Sequence, residues 1–114
     1  MSSIDTVALA QELRSAYSTG RIMPAPSSRD PAFDLEGAYA VQAELARLRR
    51  AAGARTVGWK IGYANKAVWR VLKLETLVWA HMYDDTVRHA VSGEASLSLS
   101  GTCSPKIELS SWSR

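Results

Sequence analysis

The chain has 114 residues, 46% of them apolar and 22% charged, with a formal net charge of +3 at pH 7. That is the size and mix of one ordinary globular domain, and it excludes a wholly disordered chain, which would hold fewer apolar residues and more net charge. No apolar run approaches the roughly 20 residues that cross a bilayer, and the opening MSSIDTVALAQELRSAY lacks the basic start of a secretory signal, so no membrane partner is expected.

The first half reads as helix. Val7, Ala10, Leu13 and Tyr17 recur at helical spacing, with Ser3 or Asp5 available as the N-cap and Gly20 as the stop. Residues 21–33 contain Pro24, Pro26 and Pro31 with Ser27 and Ser28, which predicts a loop. Asp34 can cap a second helix whose apolar stripe is Ala38, Val41, Leu45 and Leu48 and which Gly53 ends. Arg47, Arg49 and Arg50 fall in its last turns. A solvated helix C-terminus, favoured by the dipole, explains them more cheaply than phosphate contacts, so no nucleic-acid partner is expected.

The character then changes. Residues 56–62, bounded by glycines and rich in β-branched and aromatic side chains, predict a strand. Alternation puts Val57, Trp59 and Ile61 on one, core-facing side and Lys60 on the other. Residues 65–73 suit a short helix capped by Asn65, with Val68, Leu72 and Trp69 turned inward. Residues 86–90 and 95–100 alternate like strands with a turn at Gly93, and residues 104–108 could begin another extended segment, with Ile107 inward. The fold class is therefore α+β: two N-terminal helices followed by the first strands of an unfinished β-rich region.

Few residues offer chemistry on their own. Lys60 could hold a substrate carboxylate or polarise a carbonyl if its face lines a pocket; a solvated strand lysine is the plainer account. Asp84 and Asp85 could do acid–base work, yet Asp-Asp is also ordinary turn chemistry before a strand. Glu108 alone is no metal site, because hard cations want several oxygens. His81 and His89 lack metal-ligand spacing. Cys103 is the single cysteine, so neither a disulfide framework nor a multi-cysteine zinc site is expected. A reduced, cytoplasmic protein is the simplest reading. Trp59, Trp69 and Trp79 read as core.

In chain order, four blocks form a pattern. They are Ala38-Tyr39-Ala40-Val41-Gln42, residues 57–62 (VGWKIG), residues 78–87 (VWAHMYDDTV) and Pro105-Lys106-Ile107-Glu108. Together they resemble the N-terminal part of the 2-keto-4-pentenoate hydratase / 2-oxohepta-3-ene-1,7-dioate hydratase / 4-oxalocrotonate decarboxylase group of the fumarylacetoacetate hydrolase superfamily. The resemblance implies a mixed β-roll, here truncated, behind the helices. It implies a lyase that hydrates 2-oxo-alkenoates, or decarboxylates a related 2-oxo diacid, in meta-cleavage degradation of aromatic compounds. It also implies Mg²⁺ or Mn²⁺ as the Lewis acid that stabilises enolate-like charge on a small 2-oxo acid substrate. Lys60 matches the family's active-site lysine, Asp84 or Asp85 its following acidic residue, and Glu108 the first carboxylate of its Glu-x-Glu metal pair.

The resemblance divides the chain into a helical region, 1–54, and an incomplete catalytic domain, 55–114. Where the family continues Glu-Pro-Glu and then an apolar strand, this chain reads Glu108-Leu109-Ser110-Ser111-Trp112-Ser113-Arg114. Ser110 stands at the second ligand's place. Deleting one base after the Glu108 codon of a stretch encoding Glu-Pro-Glu-Leu-Val-Val-Ala can yield Leu-Ser-Ser-Trp-Ser-Arg. The expectation is a frameshifted, truncated chain, inactive alone, with residues 109–114 as an atypical tail. A deliberately shortened chain and a wrongly split gene model are the rival explanations. Without later strands, Trp59, Ile61, Val87 and Leu97 would lack partners, each forfeiting about 1.5–3 kcal/mol, so marginal stability or association is expected. The alternative function is a non-enzymatic module that associates, as a homo-oligomer or with a partner, through its uncovered β face and edges. The gene tests the frameshift: a family-like alternative frame directly downstream is expected, and a meaningless one rejects it.

Overall fold

The computed structural model describes residues 2–109. Helix α1 (Thr6–Thr19) starts where the Asp5 carboxylate accepts the Ala8 amide at 2.9 Å, and stops at Gly20, whose φ of 69° is the left-handed conformation that glycine adopts without strain. A β-carbon at Gly20 would also stand 2.6 Å from the Gly101 carbonyl oxygen. The proline loop is not structureless: Pro26 opens a single turn, α2 (Pro26–Arg29), as its fixed φ suits a first helical position. Arg29 clamps that turn to α1 through two 2.7 Å bonds to Glu12. Asp30 accepts the Ser2 and Ser3 hydroxyls and the Ser3 and Ala32 amides. These bonds hold its carboxyl down to about 2.

Helix α3 (Leu35–Ala51) begins at Asp34, which accepts the Gly37 amide at 2.9 Å. It packs on α1 around Leu9, Ala10 and Val41, with Leu13, Leu45 and Leu48 closing the seam. The stripe expected on α3 is thus the one used. The stripe expected on α1 is rotated: Val7 and Tyr17 are exposed, Tyr17 by 71%, while Leu9 and Ala16 take the buried places. Val7-Ala10-Leu13-Tyr17 and Leu9-Leu13-Ala16 overlap at Leu13, so periodicity alone could not choose between two neighbouring stripes.

Strand β1 (Thr56–Gly62) pairs antiparallel with β2 (Val78–Tyr83) in a two-stranded sheet, with a bulge between Thr56 and Gly58. Helix α4 (Lys66–Leu72) spans the connection, its N-terminus capped by Asn65 on the Ala67 amide. A 3₁₀ turn (Asp84–Thr86) follows β2. The architecture is α+β, as the sequence implies, but the strands are not all where alternation put them. Residues 86–90 and 95–100 form no ladder; one isolated bridge joins Val91 and Glu94. Leu97, Leu99 and Ile107 are exposed, Ile107 by 96%. Alternation makes a strand only when a neighbour accepts its hydrogen bonds and an apolar layer takes its inner face. β2 has both, and Val78, Trp79 and Tyr83 fit a pleated surface.

The two faces of β1 are divided as expected, but the inner one is not core. Trp59 is 65% exposed, and Val57 and Ile61 are also open. Trp69 is half-buried, and Trp79 is stacked under Tyr39 yet 38% exposed. α3 covers the β2 half of this face and leaves the β1 half open. The core therefore lies between α1 and α3. Leu9→Ala is expected to lower stability by about 2–4 kcal/mol in urea unfolding, whereas Tyr17→Ala should stay within about 0.5 kcal/mol. Equal effects would contradict the rotated stripe.

Candidate functional site

α3 presents a second face to the sheet. Tyr39, Gln42, Ala46 and Arg49 recur at helical spacing and run alongside Trp79, His81 and Tyr83, the alternate residues of β2. Ten helical residues rise about 15 Å and four strand residues about 13 Å, so the two rows stay in step. Tyr39 stacks on Trp79 with ring centres 5.3 Å apart. The Gln42 amide accepts the His81 backbone N–H at 2.7 Å and donates to the Trp79 carbonyl at 3.2 Å. The Arg49 guanidinium lies 3.8 Å over the Tyr83 ring and bonds both Asp85 oxygens at 2.7 and 2.8 Å.

Arg49 is thus no solvated C-terminal cation; its side chain is 20% exposed and joins helix to turn. Arg50 donates to the Thr56 hydroxyl at 3.0 Å, and Arg47 forks onto Glu44 one turn back. Tyr83 is buried, and burial pushes its phenol above its ordinary value, with the Arg49 and Arg50 charges opposing.

Lys60 lies on the other face of the sheet, with Ala80 opposite it in the ladder. Its ammonium donates to Glu108 Oε1 at 2.7 Å and to the Ile61 carbonyl at 3.0 Å. The pair spans 48 residues of chain and is open to solvent, with side-chain exposures of 42% and 70%. The expected catalytic lysine and the expected metal carboxylate are therefore neighbours.

Asp84 and Asp85 are elsewhere. Asp84 accepts the Arg55 amide at 2.9 Å while its own amide donates to the Arg55 carbonyl at 2.9 Å, which closes the start of β1. Lys60 is five residues further along that strand, roughly 17 Å away. Both aspartates line a groove of about 630 Å³ with Arg14, Tyr17, Ser18 and Arg49, and Lys60 takes no part in it. In the described residues Asp84 thus ties the end of β2 to the start of β1 and Asp85 ties the following turn to α3, both apart from the lysine.

Among the described residues, no three His, Cys, Asp or Glu side chains stand together. Glu108 is a single carboxylate already neutralised by Lys60, whereas Mg²⁺ requires near-octahedral oxygen donors. This donor set does not fit a resident divalent cation. The expected ligand position Ser110 lies outside the described residues. No helix among them is long and apolar enough to cross a membrane.

Comparison with known proteins gives the arrangement a setting. A 2-hydroxyhexa-2,4-dienoate hydratase from Comamonas testosteroni is 28% identical over 98 residues, covering 86% of this chain and 37% of that protein. The solved 4-oxalocrotonate decarboxylase of Pseudomonas putida G7, complexed with calcium and acetate, superposes with a TM-score of 0.67 at 26% identity, over 70% of this chain and 31% of the enzyme. The same enzyme complexed with magnesium and adipate matches equally well, over 30% of its length. This chain is similar to a hydratase and a decarboxylase of the group that its four sequence blocks resemble. Both relatives are enzymes, and the solved decarboxylase carries a divalent metal and a small carboxylate in each complex. The chain spans about a third of the length of these relatives. No protein-family model matches it.

Sequence reasoning missed Gln42, Arg49 and His81. Gln42 sits inside a block that the resemblance quotes, but a helical glutamine carries no signal of what its amide grips. His81 Nδ1 is buried without a hydrogen-bond partner among the described residues. Burial, and then the Arg50 charge, hold its pKa below the ordinary 6.5. The unfolded chain therefore takes up a proton that the folded chain resists. His81 leaves stability intact above about pH 6.5 and reduces it as the pH falls below that value. The urea midpoint at about pH 5.5 should be lower than at about pH 7.5, and the gap should shrink in His81→Asn. An unchanged gap would show that another group sets it.

Proposed function

We propose that this chain is the leading part of a divalent-metal-dependent 2-oxo-alkenoate hydratase, similar to 2-keto-4-pentenoate hydratase and acting in cytoplasmic meta-cleavage degradation of aromatic compounds. Residues 1–54 form its helical layer, and residues 55–114 begin its β-rich catalytic domain. The observation that supports this most is the 2.7 Å contact between Lys60 and Glu108. These two residues, distant in sequence, are the ones whose blocks resemble the family's lysine and first metal carboxylate.

The chemistry of Lys60 follows from its surroundings. Its ammonium is a fixed positive charge whose present counter-ion is an exposed carboxylate. A 2-oxo acid brings a carboxylate of the same kind, which can take Glu108's place. Bound so, the ammonium orients the acid and favours negative charge developing on the adjoining oxo group. Asp84 and Asp85 are proposed to act at a distance, Asp84 by tying the start of β1 to the end of β2 and Asp85 by tying that end to Arg49 of α3. The cation expected for the intact enzyme has to draw its other ligands from outside the described residues. The chain by itself is therefore proposed to be inactive.

A second reading has one observation in its favour. Trp59 and Ile61 lie open beside the outer edge of β1, which among the described residues has no neighbouring strand. A non-enzymatic module that associates through this β face would present such a surface.

The test is a chimera in which residues 1–108 replace the matching portion of the Comamonas testosteroni hydratase. It is expected to hydrate 2-oxopent-4-enoate with Mg²⁺, and Lys60→Ala is expected to lower kcat/KM about 100-fold or more. Undiminished turnover in a folded Lys60→Ala chimera would overturn the reading. The chain alone should bind Mg²⁺ weakly or not at all in calorimetry, and tight one-to-one binding would contradict the donor count. A metal-blind oligomer, paired with an inactive but folded chimera, would favour the interaction module.

A further inference from the structure

Gln42 holds β2 at two points, the Trp79 carbonyl and the His81 amide, and these flank Ala80. Ala80 is the residue opposite Lys60 in the ladder. We propose that Gln42 is a positioning residue that sets the level of Lys60 on the sheet. The inference rests on the reading of Lys60 as the ammonium that meets the substrate.

The geometry leaves the amide little choice. A backbone N–H only donates and a carbonyl only accepts, so the amide oxygen must face His81 and the amide nitrogen Trp79. Gln42 thereby stands in for the peptide group of a third strand. Successive strand residues point their backbone groups to opposite edges, so the groups of Ala80 face β1 and are beyond Gln42's reach. A slip of β2 by one residue would present the wrong edge and break both bonds. A slip by two would also part Trp79 from Tyr39 and Tyr83 from Arg49. The base of the grip is firm, because Val41, the neighbour of Gln42, is buried in the α1–α3 seam. An isolated two-stranded ribbon is marginal in water, so its register needs such an outside reference.

The test uses the chain as it stands, by NMR. Gln42→Met keeps length and removes both bonds; Gln42→Glu keeps the acceptor and removes the donor. Gln42→Met is expected to lower hydrogen-exchange protection of the His81 amide roughly five- to tenfold and to weaken the Lys60–Glu108 side-chain cross-peak. Gln42→Glu should restore the His81 protection, as a rescue by the retained acceptor. Arg29→Ala serves as control: it removes the clamp of α2 on Glu12 without touching the α1–α3 seam or β2, and should leave the native Lys60 signals in place. Unmoved His81 and Lys60 signals in folded Gln42→Met would overturn the proposal, as would equal movement in the control. Should Gln42→Met not fold, Gln42→Glu decides, with shifted Trp79 and Lys60 resonances supporting the role and unshifted ones rejecting it. These signals are read without turnover, so their failure is separate from that of the chimera.

Discussion

One helix serves two surfaces, and the position of Lys60 depends on it. α3 buries Val41 against α1 and, from its other side, meets β2 through Tyr39, Gln42 and Arg49. The sheet has only two strands among the described residues, so it has no interior strand to define its plane or register. The contacts from α3 supply both. They differ in kind, an aromatic stack, a two-point amide and a cation over a ring, and each meets a different residue of β2. Such a combination is specific to one alignment, whereas uniform apolar contact would tolerate sliding.

The two faces of the sheet consequently have separate duties. One carries aromatic side chains and receives the helix. The other carries Lys60, whose ammonium is left for polar partners. Glu108 reaches it from a segment that forms no ladder, so the ion pair joins a strand residue to a stretch of irregular chain. Exposed pairs of this sort contribute little to stability, commonly below about 1 kcal/mol. Their interest is chemical: a carboxylate that an incoming acid can replace.

The open Trp59 and Ile61 fit with the chain's share of its relatives. It spans about a third of the hydratase and the decarboxylase it matches. A sheet whose first strand keeps an uncovered apolar half and an unpaired edge is the arrangement expected where further layers belong. The same surface in isolation favours association, which is why an interaction module stands as the second reading.

The sequence by itself determined the local features. Asp5, Asp34 and Asn65 as caps, Gly20 as a stop and the glycine-bounded strand at 56–62 depend on near neighbours, and all are found in place. The pairing of Lys60 with Glu108 as candidate site residues was legible only through the likeness of four blocks to a known group; no spacing rule joins positions so far apart. Tertiary structure alone decided the rest. It turned α1 to bury Leu9 rather than Tyr17, formed a strand at Val78–Tyr83 and left residues 95–100 without one, and drew Asp84 and Asp85 away from Lys60. Each of these depends on what stands across the gap. A strand needs an acceptor row, a core face needs an opposing layer, and a carboxylate goes to the nearest cation the fold delivers. None of that is written in the residues on either side.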